Sequence, residues 1–263
     1  MRLKRFFGIA LLIFFTTSAA FAMTLDDYYN QFKNRLEREV VHFTRVAGWT
    51  SQFRALSPSA PLGIWGFDGG LELTSIPNTA FKFSGYALDM PPFFPRIALA
   101  KGITKFLDLE ASLLAPKLLV AQDQLPDEMK SLLIYGGALK YTFLNEAQFF
   151  FSLAGRASFT RLALDFFKSD IYGADMSISR ALAVPLTIPL TVTPYAGVGY
   201  ISTTGEFDDD FIPFISGKKR TAENYRMFSG LSIKAFVVDV TGQVDVTGDS
   251  NLNTYSLKIS LDI

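Results

Sequence analysis

Tyr255-Ser256-Leu257-Lys258-Ile259-Ser260-Leu261-Asp262-Ile263 alternates apolar and polar residues to its end. Successive side chains of a strand point to opposite faces, so this segment has one greasy face and one wet face. Such a strand at the end of a chain predicts a particular closure. A barrel that spans a membrane leaves no free edge, so its last strand must pair with its first.

The same alternation recurs upstream. Leu107, Leu109, Ala111 and Leu113 alternate with Asp108, Glu110 and Ser112. Val238, Val240, Val244 and Val246 alternate with Asp239, Thr241, Gln243 and Asp245. About ten such segments are predicted, near 63–76, 95–103, 107–115, 131–143, 148–161, 171–182, 190–205, 222–235, 237–247 and 252–263. Most have the ~9–11 residues that a tilted strand needs to cross a bilayer. The connections 77–94, 116–130 and 206–221 are long, and those near 104–106, 144–147 and 236 are short. Long and short alternate, apart from two brief loops near 162–170 and 248–251. Bacterial barrels put short turns in the periplasm and longer loops outside, with an even strand number returning both ends to the periplasm. The predicted fold is all-β: a closed antiparallel up-and-down transmembrane β-barrel of about ten strands, with an N-terminal amphipathic helix.

A soluble β-barrel or sandwich is the competing architecture, because it too has one apolar face. What separates them is the aromatic residues. Trp65, Phe67, Tyr135, Tyr141, Phe143, Phe149, Phe159, Tyr172, Tyr200, Tyr225 and Tyr255 fall on the apolar face, mostly toward strand ends. That distribution matches the aromatic girdles at the two membrane interfaces.

The N-terminus carries a second signal. Arg2, Lys4 and Arg5 precede an apolar run from Phe6 to Phe15, and Ala20-Phe21-Ala22 forms an A-x-A site. These are the three parts of a secretory signal peptide, predicting 1–22 as the signal and a mature start near Met23. In 24–47, Leu25, Tyr28, Tyr29, Phe32, Leu36, Val40, Phe43 and Ala47 recur every three or four residues among charges, which predicts a helix. Thr24 is its expected N-cap. A Pro/Ser break at Ser57–Pro61 follows, and the period then changes to two. The predicted organisation is a signal peptide (1–22), a periplasmic amphipathic helix and linker (23–60) and a barrel (61–263).

Composition narrows function. The absence of cysteine removes disulfides, thiol catalysis and a lipoprotein anchor. Zero formal net charge gives no expectation of nucleic acid as a partner. The chain is rich in Phe (26 residues), yet after the signal no apolar run reaches the ~18 residues of a membrane helix. His42 is the single histidine and lies on the helix, away from the strand ends where a general base would act. No enzyme, no cofactor and no metal site is expected. The acidic run Asp208–Asp210 reads as a solvated loop.

The wet faces give the candidate lumen: Asp68, Glu72, Arg96, Asp108, Glu110, Lys140, Arg156, Asp175, Arg226, Lys234, Asp239, Asp245, Lys258 and Asp262. Ten strands enclose little more than a packed interior, so an ion-paired lumen is expected ahead of a narrow conduit. In the conduit reading, Arg156, Arg226 and Lys140 face Asp175 and Glu110. The helix is expected to cap the periplasmic mouth or lie at the membrane interface, ahead of plugging the lumen. Phe81, Phe83, Phe93 and Phe94 in the first long connection, and Phe211 and Phe214 in the third, are candidates for hydrophobic binding. Lys218, Lys219 and Arg220 are candidates for lipopolysaccharide phosphates.

Taken together, signal, hairpins and terminal strand resemble a small outer-membrane β-barrel of Gram-negative bacteria. Arg96–Leu109 (RIALAKGITKFLDL) is similar to repeats in uncharacterised and fatty-acid-transporter-like barrels. The resemblance implies outer-membrane lipid, lipopolysaccharide and the barrel-assembly machinery as partners. Terminal strands of such barrels usually end in an aromatic, where this one has Ile263. The function expected is structural or porin-like transport of small or hydrophobic solutes. The alternatives are a binding module acting through aromatic loops, or a soluble periplasmic ligand-binding barrel.

Overall fold

The computed structural model describes residues 3–54, 56–75, 81–83, 86–88, 93–116, 131–185, 189–208, 218–248 and 252–263, with the backbone alone for 3–26, 81–83 and 86–88. Two compact units divide the chain, Met1–Val40 and Val41–Ile263. Helix α1, Leu3–Ser51, contributes to both. It runs through Thr24, which is therefore not its N-cap, and it ends at Ser51 beyond the expected 47. In the first unit, Arg35 pairs with Glu39 at 3.1 Å, one turn apart. Tyr28, Tyr29 and Phe32 are exposed there.

The second unit holds ten long strands: β1 Phe67–Ser75, β2 Phe93–Gly102, β3 Leu107–Leu114, β4 Leu133–Leu144, β5 Ser152–Ala163, β6 Phe167–Ser179, β7 Leu190–Phe207, β8 Arg220–Ala235, β9 Val238–Thr247 and β10 Thr254–Asp262. Each pairs antiparallel with its sequence neighbours. β10 returns to β1 with Leu257 opposite Leu73 and Ile259 opposite Leu71, so the sheet is closed. The backbones of Phe67 and Ile263 exchange two further hydrogen bonds of 2.8 Å. The terminal strand closes the barrel as its pattern predicted.

The connections 103–106, 145–151, 180–189 and 236–237 lie at one end, which is also where β1 starts and β10 finishes. Those spanning 76–92, 115–132, 164–166, 208–219 and 248–253 lie at the other. We call these the short-turn end and the long-loop end. In the two-residue turn 236–237, Phe236 takes φ 55°, a left-handed conformation that matches the twist of a tight hairpin at a steric cost of about 1–2 kcal/mol.

Which way each residue points follows from the period of two. Leu71, Leu99, Leu109, Leu139, Met176, Val198, Met227, Ile233, Val244 and Ile259 face out and are exposed. Their neighbours in sequence face in and are buried or half-buried, and most of the buried residues on these faces are polar or charged. A water-soluble barrel has the reverse polarity. An apolar exterior around a polar interior is the build of a barrel whose outer solvent is hydrocarbon.

The aromatic residues sort by end. Trp65, Phe67, Tyr141, Phe143 and Phe149 lie toward the short turns, and Tyr135, Phe159, Tyr172, Tyr200, Tyr225 and Tyr255 toward the long loops. Neighbouring rings pack in pairs: Tyr141 with Phe143 at 5.1 Å, Phe159 with Tyr172 at 5.2 Å and Tyr200 with Tyr225 at 5.3 Å. They form two girdles with the aliphatic band between them.

Candidate functional site

The lumen is the chemically distinctive part of the molecule. Its charges form a belt that passes from strand to strand. Glu110 on β3 pairs with Arg156 on β5 at 2.9 Å, and Arg156 reaches Asp175 on β6 at 3.5 Å. Asp175 pairs with Arg226 on β8 at 3.0 Å, and Arg226 with Asp245 on β9 at 3.2 Å. Asp245 pairs at 3.6 Å with Arg54, which belongs to no strand. Lys140 pairs with Asp108 at 3.0 Å, and Lys258 with Asp68. Asp239 accepts hydrogen bonds from Ser232 and Thr241. Lys234 and Asp262 pair at 2.7 Å at the short-turn mouth, where both are partly exposed.

All of the expected lumen residues therefore face inward, and the structure brings most of them together. Arg156 joins Glu110 and Asp175, and Arg226 joins Asp175, as the wet faces predicted. Lys140 instead goes to Asp108. Each side chain of the belt is almost wholly removed from bulk water, so an unpaired charge there would cost several kcal/mol. Pairing across neighbouring strands answers that cost and also fixes their register.

Residues 41–62 fill the middle of the barrel, in contrast to the expected cap or interfacial helix. Their contacts run in order along the barrel axis. Phe43 packs edge-on against Phe167 at 4.8 Å and against Phe207 at 5.4 Å, both at the long-loop end. Gly48 lies so close to Thr203 that any β-carbon would overlap the threonine side chain. Thr50 and Gln52 give their carbonyls to Arg96 of the wall, at 2.8 and 2.7 Å. Arg54 turns back to the carbonyls of Trp49 and Thr50, at 2.7 and 3.1 Å. The last carbonyls of a helix have no partner within it. Two guanidinium groups, one from the wall and one from the plug, satisfy them at the end where the helix dipole favours a cation.

Below the helix, residues 56–62 have no regular secondary structure and bend at Ser57, Ser59 and Ala60. Ser57 accepts from Arg156 at 3.1 Å. Pro58 and Ala60 give their carbonyls to Lys140, and Ser59 gives its own to Thr142 at 3.0 Å. The Ser59 hydroxyl and amide meet Ser177 and Ser179. The Leu62 amide donates to Asp108 near the short-turn end. Gly63, at φ 80°, then turns the chain into β1 beside Gly102, where a β-carbon would strike the Gly63 carbonyl.

Sequence reasoning ranked plugging behind capping and interfacial packing. The plug's polarity was a usable signal: Val46–Phe53 (VAGWTSQF) carries no charge, although the helix before it is studded with them. One space beside the plug, among Phe53, Arg54, Asp68, Glu72, Glu110 and Lys258, is about 20 Å³. Such a space holds a water molecule and no solute.

A larger space lies on the outside of the wall. A groove of about 670 Å³ runs over β6 to β9, bounded by Met176, Val198, Tyr200, Tyr225, Met227 and Val246. It sits on the lipid-facing side, and nearly all of its surface is apolar.

The other expected positions fall elsewhere. Phe93 and Phe94 belong to β2 and not to the loop before it; Phe93 faces out, and Phe94 is buried in the interior. Phe81 has only its backbone described, as does Phe83, in a short hairpin of 81–83 with 86–88. Phe211 and Phe214 lie outside the described residues. Lys218, Lys219 and Arg220 stand at the long-loop end, where β8 begins. His42 is exposed. Among the described residues, no group of three or more potential ligands for a metal ion is found.

No protein-family model matches the chain, and no curated protein sequence matches it. Among solved structures it is similar to the crystal structure of Ail, the attachment invasion locus protein of Yersinia pestis. That match has 9% sequence identity and a TM-score of 0.33, and it covers 75% of this chain and 97% of the other. It is also similar to the high-pH structure of Pseudomonas putida OprB, with 8% identity and a TM-score of 0.22, over 70% of this chain and 62% of the other. The inside-out polarity and the closed strand order rest on the chain's own geometry. Its architecture is that of a small, closed membrane-spanning β-barrel.

Proposed function

We propose that the protein is a bacterial outer-membrane barrel whose role is structural, with a lumen closed by its own chain. The observation that carries this reading is the filled interior. A porin needs water along its axis, whereas here Arg54, Arg96, Lys140 and Arg156 bind the plug to the wall, and the space beside Arg54 holds only about 20 Å³. The mature chain from Met23, exported by a cleaved signal, should give no steady open-channel current in a planar bilayer. The double variant R54A/R96A, which loosens the helix end from the wall, should show intermittent current while keeping the heat-modifiable gel shift of a folded barrel. A steady ohmic current from the unmodified protein would sink the closed-lumen reading and restore the conduit.

One observation favours a second reading, the handling of a hydrophobic solute. The exterior groove at Val198 and Met227 is within the ~300–1,000 Å³ of small-molecule sites. A fluorescent fatty acid should then bind detergent-solubilised protein and lose affinity in V198W, which fills the groove. Equal binding by both proteins would remove this reading. Lys218, Lys219 and Arg220 would meet lipopolysaccharide phosphates from the same end. Replacing all three with Gln should lower retention on immobilised lipopolysaccharide at low salt.

A further inference from the structure

The exterior groove on β6 to β9 changes chemistry toward the long loops. The register across β6, β7 and β8 sets the outward residues in rows. Met176, Val198 and Met227 form one row, with Val198 opposite both methionines. The next row toward the long loops is Ala174, Tyr200 and Tyr225. Alanine leaves the wall low on β6, and two phenol rings raise it on β7 and β8. Their centroids are 5.3 Å apart and their planes are inclined at 54°, so they do not stack flat on one another. Tyr225 is exposed. One row higher stand Tyr172, Ser202 and Glu223. Glu223 is exposed, and its carboxylate accepts a hydrogen bond from the Tyr200 hydroxyl.

The neighbouring ring pair of the same girdle, Phe159 and Tyr172, has a different row above it. There Arg161 lies opposite Asp170 and pairs with it, so the row is neutral. Above Tyr200 and Tyr225 the corresponding positions hold Ser202 and Glu223, and the described partner of the carboxylate is an uncharged hydroxyl. Lys168, an outward cation of β6, lies opposite Glu206 two rows further on. A negative charge therefore stands beside two aromatic rings at the polar edge of an apolar groove. Ring faces attract cations through their quadrupole. A carboxylate attracts the same cation and repels the carboxylate of a fatty acid. We propose that the groove takes a single-chain amphiphile with a positively charged ammonium head, the head among Tyr200, Tyr225 and Glu223 and the tail over Val198 and Met227. This rests on the hydrophobic-solute reading of the groove given above, and it assigns that ligand its head group. A fatty acid uses the tail site alone. Glu223 and the two tyrosines then select ligands by charge, a task that anchoring at a membrane interface does not require.

Two probes test the head group. They carry the same fluorophore at the tail of the same alkyl chain and differ only at the head, a carboxylate in one and a trimethylammonium in the other. Each is titrated into the full chain in a nonionic detergent, and every variant must first show the heat-modifiable shift, so that only folded barrels are scored. Wild type is expected to bind the ammonium probe about tenfold more tightly than the carboxylate probe, from an exposed ion pair together with cation–π contacts. E223Q keeps an acceptor for the Tyr200 hydroxyl and removes the charge, and it should cut that ratio severalfold. Y225L, which removes a ring, should cut it too. V198W should weaken both probes. Equal binding of the two heads by wild type, with V198W weaker for both, would overturn the head site and leave the hydrophobic-solute reading standing. A preference for the ammonium probe that persists in both E223Q and Y225L would overturn it as well, because the preference would then arise elsewhere. Binding of neither probe, or binding of both unchanged in V198W, would remove the groove reading and the head site with it.

Discussion

Two arginine–aspartate pairs bridge the same two strands, β5 and β6. Arg156 lies directly opposite Asp175, and Arg161 directly opposite Asp170. Their separations are nearly equal, 3.5 and 3.6 Å. Arg161 lies five positions after Arg156, an odd offset, so one pair points into the lumen and the other outward. The inner side chains are 2% and 5% exposed, the outer ones 43% and 41%. The chemistry is the same and only the surroundings differ. Inside, both charges have lost water, and each is held by a further partner: Glu110 for Arg156 and Arg226 for Asp175. Outside, the pair stands beyond the Phe159–Tyr172 ring contact, toward the loop, where the aromatic girdle gives way to headgroups and water.

The largest effect should come from breaking the inner pair. R156M leaves Glu110 and Asp175 with one buried cation fewer between them and removes the bond to Ser57 of the plug. Loss of one partner from a buried ion pair costs about 3–5 kcal/mol. The urea midpoint for unfolding from liposomes should fall by that equivalent, and the unboiled gel band should weaken at lower temperature. A midpoint unchanged from wild type would mean that water reaches the belt and that the lumen is open.

Placing a charge on the greasy side of the wall tests the other half of the comparison. Leu257 faces out at mid-strand on β10 opposite Leu73, between neighbours Ser256 and Lys258 that face in. L257R should cost about 2–4 kcal/mol if the residue sits at the bilayer midplane. L257K read in liposomes and again in a soluble detergent should show its penalty mainly in the bilayer. Equal, small effects in both would argue for a water-facing exterior.

The contrast between wall and plug also explains what the sequence could show. Each strand of the wall is written by two solvents, hydrocarbon outside and a polar lumen inside, and this imposes the period of two. Hence β2 at 93–102, β3 at 107–114 and β10 at 254–262 lie within a few residues of their predicted positions. The inward assignment of Asp108, Glu110, Arg156 and Arg226 follows from the same rule. The plug has only one environment, the lumen on every side, so it has no repeating pattern. Its partners are remote in sequence: Arg96 for Thr50, Lys140 for Ala60, Thr254 for Arg54. Nothing local in Ser57–Pro61 distinguishes a linker in water from a strand of backbone held by lysine and serine. Phe94 was misread for a related reason. Pro91 and Pro92 extend the loop reading to residue 94 and delay the predicted strand to Pro95, whereas β2 begins at Phe93.

A smaller effect should come from the plug's polar seams. Thr142 donates to the Ser59 carbonyl at 3.0 Å, and T142V removes that bond with little change of shape. A buried carbonyl left without its donor costs about 1–3 kcal/mol. Because Lys140 still holds Pro58 and Ala60 on either side, the expected loss is at the lower end, near 1 kcal/mol. T142S, which keeps the hydroxyl, should recover most of it, and failure of that rescue would assign the loss to packing.

The outer pair should give the least. R161Q removes the partner of Asp170 but keeps a long polar side chain at the rim. Exposed pairs contribute about 0.2–1 kcal/mol and are screened by salt. The variant's urea midpoint should therefore lie close to wild type at low salt and merge with it at high salt, while the midpoint of R156M stays displaced at both. If R161Q destabilised as much as R156M, the rim would be as dry as the lumen, and the girdle would have to be placed further out than Phe159 and Tyr172. If instead the two variants were equally mild, water would have to reach Arg156 past the plug. The difference between the two midpoints, measured at two salt concentrations on one pair of strands, thus reports how well residues 41–62 seal the barrel.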